Sequence, residues 1–180
     1  MSDGWPTIPT ERLGDGWEQV DRTEERVFGL PTAEVIGRTV VYGDGPLRER
    51  LAADVTRFLF ATALEFQPPL PPGAGQLVAS TVATSAREAF LDDLRDRGFR
   101  DLSAQSQGRM RVDSGARARL TSVRGRYEAG GESFDVTGWL AVWNADGFRL
   151  AGGAYPAAGP GVEEDSGFRE DLFEFVRAVR

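Results

Sequence analysis

The clearest pattern in the chain is an alternation of apolar and polar residues along strand-length segments between positions 101 and 156. Successive side chains of a β-strand point to opposite faces, so this period of two predicts β-structure. Turn-forming residues separate the segments at Asp113-Ser114-Gly115, at Gly130-Gly131 and from Asn144 to Gly147. The pattern predicts a meander of four antiparallel strands, with approximate spans 103–113, 116–128, 133–144 and 147–156.

The N-terminal half predicts further strands. Trp17 to Phe28 is typical of a first strand or strand pair, and Val35 to Tyr42 is rich in β-branched residues. Arg57 to Phe66 is the most apolar stretch, and prolines follow it directly, so it is interpreted as a buried strand. The short, charged stretch from Leu47 to Val55 is compatible with either a helical turn or a strand.

Two segments have the spacing of helices instead. Ser85 and Glu88 are placed as in a capping box, and Gly98 lies where a left-handed C-terminal cap is needed, which predicts a helix over 85–97. A second apolar stripe predicts a C-terminal helix over 168–180. Both helices should pack on the meander and bury four side chains: Phe90, Leu94, Leu172 and Val176.

The order of these elements predicts an α+β protein, in which an antiparallel sheet with a C-terminal four-stranded meander is covered by helices. The length of 180 residues suits one domain. Residues 1–16 contain several prolines and glycines and are interpreted as an irregular N-terminal arm. Residues 17–180 then form the single α+β domain.

The second predicted meander strand contains a change of parity. Its apolar residues Ala118 and Leu120 have even sequence positions, whereas Val123 and Tyr127 have odd ones, so regular alternation cannot direct all four side chains to the same face. A strand buried on one face needs one extra residue to satisfy both pairs. The sequence therefore predicts a β-bulge within Arg119 to Val123, which would leave four basic side chains together on the other face: Arg117, Arg119, Arg124 and Arg126.

Several landmarks occur in an order that matches a known fold. They are Phe58 to Phe66 ending in Pro68-Pro69, the helix Ser85 to Arg97 ending in Gly98-Phe99, the strand segment Gly138 to Val142, and the closing segment Phe168 to Val179. With these residues the chain resembles the PsbP-like fold over roughly residues 17–180. The resemblance implies an α/β/α sandwich and non-enzymatic work, because family members serve as a photosystem extrinsic subunit or as a binding partner of a small nuclear GTPase. No functional residue of those members matches here, so their partners are not carried over.

Composition narrows the chemistry. The chain has no His, no Cys and no Lys, so all 21 basic residues are Arg. This excludes thiol and imidazole catalysis, thiolate metal sites and Schiff bases, and it leaves Ser85 and Ser166 without an obvious activating base. The acidic clusters Asp92-Asp93, Glu24-Glu25 and Glu163-Glu164-Asp165 are interpreted as solvated surface. We therefore predict no catalytic residue, no metal site and no cofactor, and a hydrolase that uses carboxylates or a metal ion is the less favoured alternative.

The charge balance suggests the environment. Twenty-eight acidic residues against 21 basic ones give a net charge of −7, and Arg replaces every Lys. This composition resembles that of salt-adapted, GC-rich microbes such as halophilic archaea, with codon bias as the alternative explanation. The N-terminal sequence lacks the pattern of a signal peptide, and no apolar run is long enough to span a membrane, so a cytoplasmic protein is expected.

One region reverses the overall charge. Residues 100–127 contain seven Arg and only two Asp, and pairing of the first two meander strands would gather the arginines into a basic stripe. Guanidinium groups bind phosphate or carboxylate, and aromatic faces stack on bases. The leading hypothesis is a non-enzymatic binding or accessory module with a protein partner. The alternative is an anionic-ligand or nucleic-acid binder that uses the following residues: Arg109, Arg111, Arg117, Arg119, Arg124, Arg126, Trp139 and Trp143. Ion pairing within the protein would instead make the stripe scaffolding.

Overall fold

The structure is a computed structural model, and it describes residues 3–13, 15–45, 57–162 and 167–180. The described elements, in chain order, are a 3₁₀ turn (Thr10–Arg12), β1 (Trp17–Leu30), β2 (Ala33–Asp44), β3 (Phe58–Gln67), α1 (Ala74–Asp96), β4 (Arg100–Arg111), β5 (Arg117–Ala129), β6 (Glu132–Asn144), β7 (Phe148–Ala158) and α2 (Phe168–Ala178). The protein is thus an α+β protein, as predicted. The segment from Leu47 to Val55 lies outside the described residues.

The seven strands form one sheet in the order β1-β2-β3-β7-β6-β5-β4, and every neighbouring pair is antiparallel. The predicted four-stranded meander is therefore confirmed as β4 to β7. The predicted first strand or strand pair is the single strand β1. The meander joins the N-terminal strands through β3 and β7, which leaves β4 as the outermost strand on one side of the sheet.

Glycines make the hairpin turns at the predicted places. Gly115, Gly130 and Gly131 all have positive φ, at 92°, 59° and 80°. Side chains other than Gly rarely adopt this conformation, so these positions fix where each strand reverses. In the last turn the backbone N–H of Gly147 donates to Oδ1 of Asn144 at 3.2 Å.

Helices cover both faces of the sheet. Helix α1 packs mainly on β6, and α2 packs on the other face, mainly on β7. The four side chains predicted to be buried are no more than 5% exposed, which confirms that prediction: Phe90, Leu94, Leu172 and Val176. The sheet therefore has two apolar cores, one beneath each helix.

Helix α1 begins earlier than predicted. It starts at Ala74 rather than at Ser85, so Ser85 lies inside the helix and is not its cap. The buried positions include Val82 and Ala86, four residues apart, and this stripe continues the apolar face toward the N-terminus. Packing of that stripe on the sheet outweighs the local capping signal. The predicted C-terminal end is confirmed, because Gly98 has a φ of 96° and the N–H of Phe99 donates to the carbonyl of helix residue Leu94 at 3.0 Å.

The N-terminal arm lies along the domain. The backbone of Thr7 exchanges two hydrogen bonds with Arg180, at 2.8 and 3.0 Å. Farther along the arm, Arg12 forms ion pairs with Asp113 at 2.6 Å and with Glu174 at 2.7 Å. These contacts tie the arm to the meander and to the C-terminal end of the chain. None of the helices in the described ranges is long and apolar enough to cross a membrane.

The central strand β7 approaches its neighbours closely at two glycines. A Cβ atom on Gly152 would overlap the backbone carbonyl of Trp139 on β6, and one on Gly153 would overlap the carbonyl of Phe58 on β3. Both positions face backbone rather than a flexible side chain. The glycines therefore permit the close packing of three strands at the centre of the sheet.

Candidate anion-binding surface

Arginines face each other across the hairpin formed by β4 and β5. Arg109 is directly opposite Arg119, and Arg111 is directly opposite Arg117. Directly opposite residues of an antiparallel pair share a face, and residues two apart along a strand also share a face, about 7 Å apart. These four residues therefore form a compact group on one face, which we call the arginine square.

A β-bulge in β4 sets this register. Between Ser106 and Arg109 strand β4 contains one residue more than β5, and Gly108 adopts a φ of 83°. The extra residue moves Arg109 and Arg111 onto the same face as Ser106. The bulge thus brings the two arginines of β4 opposite those of β5.

The β-bulge predicted within Arg119 to Val123 is wrong. Strand β5 pairs with β6 without a break from Arg119 to Ala129. No bulge is needed, because the sheet is covered on both faces: Ala118 and Leu120 are buried in the core beneath α2, and Val123 is buried in the core beneath α1. Each of these apolar side chains is therefore buried in the core on its own face of the sheet.

Regular alternation along β5 divides the predicted stripe between the two faces. The arginine square lies on the face that carries α1, at the uncovered β4–β5 margin. Arg124 and Arg126 lie on the face that carries α2, and Arg100 is directly opposite Arg126. We call Arg100, Arg124 and Arg126 the second arginine cluster. Of these three, Arg126 lies 4.0 Å from a carboxylate, that of Asp135.

The arginine square is exposed and has no ion pair with any carboxylate among the described residues. Several arginines elsewhere in the fold are in ion pairs. For example, Arg38 contacts Glu24 at 2.5 Å and Glu65 at 2.9 Å, and Arg97 contacts Asp93 at 2.9 Å. The guanidinium groups of the square therefore keep their N–H donors for a ligand.

The two tryptophans assigned to the same site by sequence lie elsewhere. Trp139 and Trp143 are 8% and 3% exposed and belong to the core beneath α2, on the face opposite the arginine square. The indole N–H of Trp139 donates to the hydroxyl of Tyr155 at 3.1 Å, and burial raises the pKa of Tyr155 above its ordinary value. Tyr127 is half-buried, with its ring centroid 5.3 Å from that of Phe99. None of these rings offers a free stacking surface beside the square.

Sequence reasoning did not identify a charged cleft between the N-terminal arm and α2. Its volume is about 450 Å³, and Arg57 lies in its wall. The Arg57 guanidinium contacts Asp44 at 2.6 Å and Asp171 at 2.9 Å, and it lies over the rings of Trp17 and Phe168. These residues are scattered along the sequence, so no local motif marked them. Arg57 and its two carboxylate partners form a structural ion-pair network that connects α2 with the sheet.

The acidic clusters that the structure describes are in ion pairs or at the surface. On α1, Asp92 contacts Arg95 and Asp93 contacts Arg97, both at 2.9 Å. Within the described ranges no three acidic side chains are grouped in a way that could hold a metal ion. The cluster Glu163-Glu164-Asp165 and the neighbouring Ser166 lie outside the described residues.

Comparison with known proteins identifies the family of the chain. No curated protein and no solved structure matches the chain. The model of the family described as "Domain of unknown function (DUF6517)" matches residues 5–180, which is nearly the whole chain. The chain therefore belongs to the DUF6517 family.

Proposed function

We propose that this protein is a non-enzymatic binding module that holds an anionic ligand on the arginine square. One observation carries the proposal: two directly opposed Arg–Arg pairs are exposed side by side, and no carboxylate of the described residues neutralises them. The ligand would carry several oxyanions, because four guanidinium groups at neighbouring positions of one face can engage more than one at once.

The arginine square costs free energy of folding. Like charges directly opposite each other in a sheet destabilise it. The chain contains 28 acidic residues, enough to pair every arginine, and it pairs arginines on other surfaces. A site that keeps four positive charges together without a partner is consistent with a surface maintained for binding rather than for stability.

The mode of binding follows from the surroundings of the square. The neighbouring aromatic rings are buried or packed on other rings, so base stacking contributes little. Arg forks bind phosphate and carboxylate oxygens through paired N–H donors. Recognition would therefore depend on the anionic groups of the ligand and would weaken as salt rises.

We also propose that the protein is not an enzyme. The sequence lacks His, Cys and Lys, which removes the usual bases and most nucleophiles. The PsbP-like resemblance favours the same conclusion, since accessory and binding roles predominate there, and we extend the proposal to a PsbP-like version of the observed α+β fold. In an accessory role the anionic ligand would be a charged group of the partner.

Isothermal titration calorimetry with tripolyphosphate, a compact ion with several phosphates, tests the site. We expect the double substitution Arg109→Gln/Arg119→Gln to weaken binding at least about tenfold, because each lost charge-assisted hydrogen bond contributes about 1.5–3 kcal/mol. The matched control is Arg95→Gln/Arg97→Gln at the C-terminal end of α1, which removes the same charge from arginines that are already paired. Equal affinities for the two double variants would contradict the proposal.

A further inference from the structure

The second arginine cluster lies on the same hairpin as the arginine square but on the opposite face. Arg124 is five residues from Arg119 along β5, which corresponds to about 17 Å. It is directly opposite Ser103 on β4 and Thr137 on β6, so its immediate neighbours are uncharged. A compact ion bound at the square cannot reach this cluster, and a rigid partner resting on one face cannot reach the other.

The route between the two groups passes around β4. This strand is the outermost of the described strands, and most of its residues are exposed. A flexible linear polyanion could cross this margin and contact both faces. Double-stranded DNA is too stiff for such a path, because its persistence length is about 150 base pairs.

The edge of β4 is unsuited to an added peptide strand. It contains two bulges, one between Arg100 and Ser103 and one between Ser106 and Arg109. Asp101 and Gly108, within these bulges, have positive φ values of 54° and 83°. Bulges interrupt the row of backbone donors and acceptors that strand addition requires. A chain recognised only by arginine side chains is not affected by this interruption.

We propose that the ligand is a single-stranded phosphodiester chain, bound without sequence preference, that wraps the free edge of β4 and joins the arginine square to the second arginine cluster. This inference rests on the proposed function, since the square is one of its two contacts. Single strands bend freely and repeat one negative charge per nucleotide, and none of the described aromatic rings beside the arginine square is free to stack on a base. A chain that contacts both groups must span about 17 Å along β5 and also cross the edge of β4, so we expect a site within the range of about 4–16 nucleotides that single-strand binders cover.

The test measures fluorescence anisotropy of labelled thymidine oligonucleotides of about 3 and about 12 nucleotides, lengths below and within the expected range. The substitution Arg124→Gln/Arg126→Gln should weaken binding of the long oligonucleotide at least about tenfold and change that of the short one less than about twofold. For the unmodified protein, the slope of log affinity against log salt should be steeper by about 2 for the long oligonucleotide, since about three further phosphates are contacted. The variant Arg124→Lys/Arg126→Lys should keep most of this difference in slope between the long and the short oligonucleotide, because it keeps both positive charges.

The outcomes separate this inference from the proposed function. If Arg124→Gln/Arg126→Gln leaves the long oligonucleotide unaffected, or if a duplex of the same length gains equally from the second cluster, the wrapped path is wrong. A poly-glutamate peptide of equal charge that binds equally well would overturn the choice of ligand. If Arg109→Gln/Arg119→Gln leaves both oligonucleotides and tripolyphosphate unaffected, the proposed function itself fails. Circular dichroism of each variant confirms that the fold is intact.

Discussion

Reversing one charge of the arginine square should stabilise the fold while it abolishes binding. In Arg119→Glu, the residue opposite Arg109 becomes acidic, so a repulsive cross-strand pair becomes an attractive one. Most substitutions in a binding site either leave stability unchanged or reduce it. A variant that is more stable but no longer binds the ligand would show that the arginine square is retained at a cost in free energy of folding.

The size of the effect follows from the geometry of the pair. Opposed Cβ atoms lie about 4.5–5.5 Å apart, an opposite-charge pair contributes about 0.2–1 kcal/mol, and a like-charge pair is destabilising. Taking the repulsion to be of similar size, the exchange raises the free energy of unfolding by about 0.4–2 kcal/mol. At roughly 2–4 °C per kcal/mol for a chain of this length, the melting temperature should rise by a few degrees.

The assay is thermal unfolding followed by circular dichroism, with variant and unmodified protein compared at low salt and at about 1 M KCl. Screening reduces the Debye length to about 3 Å at 1 M, so the gain should largely disappear there. Arg124→Glu is the matched control, because Arg124 is opposite Ser103 and Thr137 rather than another arginine, and its effect should stay within about 0.5 kcal/mol. A loss of stability in Arg119→Glu at low salt, or a gain equal to that of the control, would refute the reasoning.

Three further predictions concern the fold. Gly153→Ala should cost about 3 kcal/mol or more in urea unfolding, because its Cβ overlaps the backbone carbonyl of Phe58, and a cost below about 1 kcal/mol would contradict this close approach. Phe90→Ala should cost about 3–5 kcal/mol in the same assay, and a near-neutral result would place α1 away from the sheet. Burial raises the pKa of Tyr155, so ultraviolet titration of the protein minus that of Tyr155→Phe should show tyrosinate forming above the ordinary value of about 10. Because the folded state favours the protonated phenol, this stabilising contribution is complete below pH about 10 and is lost as pH rises through the folded pKa; ionisation at or below the ordinary value would contradict it.

A fourth prediction concerns salt adaptation. The acidic excess produces repulsion between surface carboxylates, and added salt screens it. The melting temperature of the unmodified protein should therefore rise as KCl increases from tenths of molar to molar. A flat or falling melting temperature would leave codon bias as the better explanation of the missing Lys.

The candidate site was only partly accessible to sequence reasoning. The excess of arginine in 100–127 identified the right hairpin, because strand pairing brings neighbouring segments together. The faces were assigned wrongly, because the change of parity was interpreted as a bulge in a strand with one apolar face, whereas each face of β5 contributes apolar side chains to a core. The tryptophans were included for their ring chemistry, yet alternation along β6 puts Trp139 and Trp143 in the core beneath α2.

The sequence by itself determined the local elements. Alternation with period two and glycine turns specified the four meander strands, and the Gly98 cap specified the end of α1, because these features depend on residues a few positions apart. Only the tertiary structure decided what depends on distant residues. The extension of α1 before Ser85 accompanies packing of Val78, Ala79 and Val82 on the core, and the bulges that align Arg109 with Arg119 follow from the register of β4 on β5. Which arginines share a face is decided by how both sides of the sheet are covered, and that arrangement is set by packing between elements far apart in the chain rather than by any local pattern.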